Sequence, residues 1–273
     1  MARRRKKKSG VPWLLIAIII TAVAAVAFMP PAHGKAEYVD VPQDSSSLEY
    51  VVIPGNIPNT MLAYEGFTVG FNADKHQPNF VVWTLDPQET DGENVRKNSQ
   101  FQADPNVDGC ATLEDYKGSG FDRGHMAPAA DMKWSKKAMD DCHYLTNMCP
   151  QDNSLNSGAW KTIEDNSRKW ALKYGPLVIV CGPVLSDRMS RSIGDTPVPV
   201  PERFFKVILA PQANPPMGIG FIMPNTKVEG GAQATVVSID QVEEITGFDF
   251  FSHLPDDIEA EVESQAKLRM WNK

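Results

Sequence analysis

The chain has 273 residues of 42% hydrophobic composition, enough to bury a sizeable core in one large domain or two small ones. Its formal net charge is -7, and because Arg3, Arg4, Arg5, Lys6, Lys7 and Lys8 gather at the extreme N-terminus, the remaining body is more acidic still. Such a body excludes a histone-like binder, whose affinity comes from neutralising many phosphates at once, and leaves open an enzyme with one basic cleft.

The first expected segment is a basic, cytoplasmic flank over 1–10. Val11 to Met29 then carries no charge and reaches about 30 Å as a helix at about 1.5 Å per residue. The spacing predicts a retained membrane anchor, or alternatively a signal peptide cut near Ala32-His33-Gly34. With the basic flank inside, the body is expected to be exported. It would be membrane-anchored and extracytoplasmic, or secreted or periplasmic after cleavage. Export would place Cys110, Cys142, Cys149 and Cys181 in an oxidising compartment, where disulfides are expected and four cysteines allow three pairings. Zinc spacing is lacking: there is no CxxC pair, and His143 beside Cys142 reads as an exposed histidine with no second ligand spaced to help it.

Residues 30–50, with three prolines and Ser45-Ser46-Ser47, have the composition of a tether. The body, 51–273, is expected to be one domain. Alternation at Phe67, Val69 and Phe71 and the run from Phe80 to Leu85 predict two antiparallel strands. Asp86 to Lys117 is polar and reads as a long loop of the kind that often serves function. Trp134 to Asp141 reads as a short helix started by Ser135, and Tyr144 to Met148 as a strand. A helix capped by Asn153 or Ser154 is expected to run to about Tyr174, ended by Gly175. Leu177 to Leu185, Phe204 to Leu209 and Gly218 to Met223 are expected strands joined by reversals. Ser238 with Gln241 makes a capping box, and Pro255 begins an acidic helix. Trp134, Trp160 and Trp170 are read as core residues. The fold class that results is α+β, with a mixed, mainly antiparallel central sheet.

The chemistry concentrates in Gly118 to Asp131, GSGFDRGHMAPAAD. Phosphodiester hydrolysis needs a base for water at neutral pH, and His125 has the side chain matched to that task. Charge gathering on the phosphorane and the leaving oxygen can be met by Arg123 and by a divalent metal. The nearby donors are oxygens, which favours Mg²⁺ with Mn²⁺ as the alternative; Asn156 and Glu164 on the expected helix are the candidate ligands, one direct and the other through a water.

DRGHMAPAADMKWSKKAMDD, YLTNMCPQ and LNSGAWKTIED together resemble the DNA/RNA non-specific endonuclease family, endonuclease G-like, with a ββα-metal (His-Me finger) site. The resemblance implies that His125 is the general base, that Arg123 contacts the scissile phosphate, and that Asp122 has a shaping role. It also implies that Asn147 supports the site, that Asn156 binds the metal, and that Glu164 stands near the metal waters. It further implies DNA and RNA substrates, little sequence preference and 5'-phosphate products, with 51–273 as the nuclease domain and a homodimer as a further expectation. A second phosphate-binding arginine upstream falls on Arg96, with Lys97 serving equally well. The competing reading is an extracytoplasmic protein that binds nucleic acid without cutting it.

Overall fold

Strands that bury both faces read as continuous apolar runs, and here such runs form the centre of the molecule. The computed structural model describes residues 47–92, 99–186 and 189–272. The basic flank, the apolar stretch 11–29 and tether residues 30–46 lie outside the described residues, as do Arg96 and Lys97. The described residues fall within one unit, Tyr38–Lys273.

In chain order the strands are β1 (Val51–Val52), β2 (Thr60–Tyr64), β3 (Phe67–Asn72), β4 (Gln77–Leu85), β5 (Asp122–His125), β6 (Met148–Gln151) and β7 (Leu177–Pro183). They continue as β8 (Ser192–Ile193), β9 (Val198–Pro199), β10 (Arg203–Ala210), β11 (Met217–Pro224), β12 (Val236–Val237) and β13 (Asp249–Phe250). The helices are α1 (Leu113–Tyr116), α2 (Lys136–Asp141), α3 (Lys161–Tyr174), α4 (Ile239–Thr246), α5 (Asp256–Glu263) and α6 (Leu268–Trp271). The central sheet has seven strands in the order β12-β11-β10-β7-β4-β3-β2, and its pairings are antiparallel. This is the α+β architecture expected, with the reversals between β7, β10 and β11 where the proline-rich loops put them.

Successive side chains point to opposite faces of a strand. Val81, Trp83 and Leu85 on β4, Ile179 and Cys181 on β7, and Phe204 and Ile208 on β10 therefore share one face, packed with Trp160, Ile163 and Trp170. Phe80, Val82, Val178, Val180, Phe205 and Val207 take the other face, with Ile239, Val242 and Val262 from α4 and α5. Gly218 and Gly220 on β11 let those helices sit close: a Cβ at Gly218 would stand 2.5 Å from Val262 Cγ1, and one at Gly220 2.7 Å from the Ser238 carbonyl oxygen.

Caps follow the sequence closely. Ser135 starts α2 by accepting from the Lys137 and Ala138 amides, Ser238 and Gln241 cap α4 reciprocally, and Pro255 precedes α5. Three details differ. Leu145–Asn147 forms a 3-10 turn, so the strand begins only at Met148. Asp152, not Asn153 or Ser154, provides the cap before α3, accepting from the Ser154 amide at 2.8 Å. The polar segment after Asp86 contains a capped turn at Pro87–Thr90 and the short α1.

None of the four cysteines forms a disulfide. Cys142, Cys149 and Cys181 are fully buried and fill the core as small apolar side chains, which corrects the expectation of disulfide bonds. Trp160 and Trp170 are buried as expected, whereas Trp134 is exposed.

Candidate active site

The DRGH segment is β5, and it pairs antiparallel with β6 in a separate two-stranded ribbon, Arg123 opposite Pro150 and His125 opposite Met148. Gly124 permits that ribbon, since a Cβ there would lie 2.4 Å from Gln151 Oε1. The chain leaves β6 through the turn Asn153–Leu155 and a π turn over Asn156–Trp160, then enters α3. Two strands and a helix thus form one finger. The chain kinks there at Gly158, which is non-helical at φ -106 and ψ -110.

The finger brings His125, Arg123, Asp122, Asn156 and Glu164 onto one cleft of about 870 Å³. The sixth predicted site residue, Asn147, lies behind this surface and is fully buried. Its Nδ2 donates to the Ala127 and Cys142 carbonyls, each at 2.9 Å, and its Oδ1 accepts from the Ala127 amide at 2.9 Å. Asn147 therefore pins the chain immediately after His125. Trp160 adds a second restraint, donating from Nε1 to the His125 carbonyl at 3.2 Å.

Around the imidazole the packing is aromatic. His125 lies 5.3 Å from the Phe101 ring and 5.2 Å from His143, the latter edge-on at 87°. His143 is 2% exposed, so the sequence expectation of an exposed histidine is wrong. The reason is local: the 3-10 turn over Leu145–Asn147 folds the ring inward, where its Nδ1 stands 2.7 Å from the Met139 carbonyl. His125, Cys142 and His143 offer ligand atoms within 4.8 Å of one another, a proximity the sequence spacing did not suggest. Arg123 is exposed to the cleft, its guanidinium 4.5 Å from the Phe101 ring centre.

Asp122 is tied to the other half of the finger. Its Oδ2 accepts from Asn156 Nδ2 and from Asn153 Nδ2, both at 2.9 Å. With its amide nitrogen so used, Asn156 has its carbonyl oxygen available as a hard ligand.

Glu164 keeps an edge on the cleft yet is enclosed by protein, and burial pushes its carboxyl up to about 7, with Lys206 and Arg168 pulling it down and Asp131 pushing it up. Behind it stands a charged cluster missed by sequence reasoning. Arg168 donates to Asp131 Oδ1 at 2.7 Å and to Asp165 Oδ1 at 2.5 Å, and Trp83 Nε1 donates to Asp131 Oδ2 at 3.2 Å. Lys206 is 1% exposed, on the same face of β10 as Phe204, with its Nζ 4.1 Å from the Trp160 ring. Two signals for these residues exist in the sequence: Arg168 is four residues after Glu164 on one helix, and Lys206 interrupts an apolar strand.

The donors on the cleft are an asparagine oxygen and a carboxylate, which suit a hard divalent cation such as Mg²⁺. Lys117, Lys133 and Lys161 join Arg123 and Arg168 on its walls, giving an acidic chain one basic groove.

Comparison with known proteins agrees with this geometry. Human mitochondrial nuclease EXOG is 34% identical over 252 residues, covering 85% of this chain and 68% of the relative. Bovine mitochondrial endonuclease G is 32% identical over 277 residues, covering 92% of this chain and 87% of the relative. A crystal structure of the EndoG/EndoGI complex matches with a TM-score of 0.66 at 26% identity, over 71% of this chain and 86% of that one. These relatives are mitochondrial rather than exported proteins, which overturns the expectation of an exported, extracytoplasmic enzyme. Among the described residues no helix is long and apolar enough to cross a membrane. The family model for DNA/RNA non-specific endonucleases matches residues 44–257, spanning the finger, the cleft and the sheet that carries them, and the chain belongs to that family.

Proposed function

We propose that the body of the chain, 51–273, is a metal-dependent endonuclease that hydrolyses phosphodiester bonds of DNA and RNA with little sequence preference. The observation that carries this reading is the finger itself, which turns an imidazole, an arginine and two oxygen donors onto one basic groove.

In this reading His125, held by its aromatic neighbours and by Trp160, takes a proton from the attacking water. Arg123 contacts the scissile phosphate and offsets the charge that grows on it. Asn156 is the direct metal ligand and Glu164 contacts the metal through water, with Asp122 fixing the asparagine's orientation. A bound Mg²⁺ would supply positive charge beside the phosphate and the leaving 3'-oxygen, so that cleavage yields 5'-phosphate ends. Arg96, outside the described residues, remains a candidate second phosphate contact.

The test is cleavage of plasmid DNA and of RNA by the purified protein with Mg²⁺, with and without chelator, beside His125→Ala. The variant is expected to lose at least about 100-fold in rate, the scale of removing a general base. An intact plasmid after prolonged incubation, with nucleic acid still bound, would favour a binding protein instead.

A further inference from the structure

Three carboxylates far from any role in cleavage converge on the opposite face of the sheet. Asp240 and Glu243 lie one turn apart on α4, Glu263 closes α5, and their nearest oxygens are within 4.8 Å of one another. None of the three lines the catalytic cleft. We propose that Asp240, Glu243 and Glu263 form a site for a hard divalent cation, Ca²⁺ in preference to Mg²⁺, that clasps α4 to α5 over β11.

Proximity of acidic groups alone would not carry this. The second observation is Glu263, which is 7% exposed and whose Oε1 is fully enclosed with no hydrogen-bond partner. A buried carboxylate oxygen without a donor is costly, and the residues around it supply no donor: among the described residues, no lysine or arginine pairs with any of the three. Glu243 does have a donor, the Phe250 amide, at 2.8 Å from its Oε1, which orients the carboxylate and leaves its second oxygen for a ligand.

The surroundings add negative charge. Burial first, then Glu243, Glu259, Asp240 and Asp249, push the Glu263 carboxyl up to about 8, and burial with Asp249, Asp240 and Glu259 raises Glu243 to about 7. A cation is the partner that removes both the desolvation and the repulsion at once. Ligand character favours Ca²⁺, which takes about six to eight oxygens in flexible geometry and tolerates carboxylates from two helices completed by water, whereas Mg²⁺ demands a near-ideal octahedron. Asp240 is exposed and Glu243 half-buried, so the site opens to solvent on one side and water can complete the coordination.

The consequence is mechanical. Gly218 and Gly220 already let α4 and α5 lie against β11, and a cation between Glu243 and Glu263 would displace their protons and tie the two helices together. The site would stabilise the fold without taking part in hydrolysis.

The experiment is calcium titration and thermal denaturation of the full chain carrying Asn156→Ala, so that the catalytic cleft does not contribute. CaCl₂ to millimolar concentration is expected to bind once per chain and to raise Tm by several degrees over EDTA, with a smaller rise in MgCl₂. Adding Glu263→Gln should abolish both binding and the rise, and Asp240→Asn, at an exposed position, should weaken both even if the first variant folds poorly. In the otherwise unaltered chain, Glu263→Gln should leave Mg²⁺-dependent cleavage unchanged. Equal calcium responses with and without Glu263→Gln, or no calcium binding to the parent, would overturn the proposal.

Discussion

Asn156 donates from Nδ2 to Oδ2 of Asp122 at 2.9 Å, and this one bond joins the first strand of the finger to the start of its helix. An asparagine amide can rotate to present either nitrogen or oxygen to a ligand; a carboxylate fixed on the nitrogen side decides the matter. On the proposed function, Asp122 positions the oxygen with which Asn156 would bind the metal. Asp122→Ala is expected to raise the Mg²⁺ concentration for half-maximal cleavage by about 10- to 100-fold, the usual range for outer partners of metal ligands. Asp122→Asn, which keeps an accepting oxygen, should recover much of the loss. If Asp122→Ala lowers the rate with no change in Mg²⁺ dependence, the positioning role is wrong.

His143 supports His125 by packing. Its ring lies edge-on to both His125 and Phe101, 5.2 and 5.0 Å between centres, and with Nδ1 at 2.7 Å from the Met139 carbonyl that nitrogen carries a proton. His143→Phe keeps a ring in place and loses the Nδ1 bond to the Met139 carbonyl, so cleavage should stay within about threefold and stability within about 1.5 kcal/mol. His143→Ala opens a cavity beside the base and should cost roughly 2–4 kcal/mol together with a clear fall in kcat. Equal effects of the two substitutions on kcat would show that the imidazole acts through its nitrogens rather than its bulk.

Much of this site was legible because its parts are short in sequence. DRGH is one strand, and Asn156 and Glu164 follow on one expected helix, so residue type and spacing named them as candidates, while the finger that joins them came from the family resemblance. The strand pattern was legible for the same reason: β7 and β11 are apolar almost throughout and β4 and β10 carry long apolar runs, as strands covered on both faces do. What could not be read depends on contacts across the chain. Lys206 acts on the charge of Glu164 only because β10 pairs with β7 beneath α3. Asn147 was found by resemblance, but its three hydrogen bonds depend on a 3-10 turn that its neighbours, mixed in character, did not announce. His143 was misjudged because burial there is set by that same turn. The N-terminal apolar stretch dominated the reading of the cysteines, whereas their burial in the core settles their state.

Arg168 and Asp131 form a buried pair whose loss on one side is expected to be costly. Burial pushes the Asp131 carboxyl above its usual range even with Arg168 beside it, and Arg168 is itself largely enclosed, its side chain 16% exposed. Arg168→Ala should destabilise the fold by roughly 3–5 kcal/mol, because an uncompensated charge is left in the core. Without the arginine, Asp131 holds its proton to higher pH in the folded than in the unfolded chain. A group with a raised folded pKa loses stability as pH rises, so the deficit of Arg168→Ala should be larger at pH 8 than at pH 5. Urea denaturation at the two pH values measures it, and a deficit independent of pH would mean that Asp131 is not the group left exposed to the change.

Asn147 makes the sharpest structural prediction, since both its side-chain polar atoms are committed in the buried core. Two carbonyls, of Ala127 and Cys142, take its amide hydrogens, and the Ala127 amide donates to its oxygen. Asn147→Ala strands those three backbone groups, at about 1–3 kcal/mol for each left unsatisfied, offset where water enters the space. Asn147→Asp keeps the volume and the accepting oxygen, yet turns a second acceptor toward two carbonyl oxygens and buries a charge. The aspartate variant is therefore expected to be less stable than the alanine variant at neutral pH, although it is the closer match in shape. Both should speed hydrogen exchange at the Ala127 amide and lower kcat with little change in KM, because the segment they loosen carries His125. An aspartate variant more stable than alanine at pH 7 would mean that Asn147 serves chiefly to fill space, and the link from this side chain to the base would fall with it.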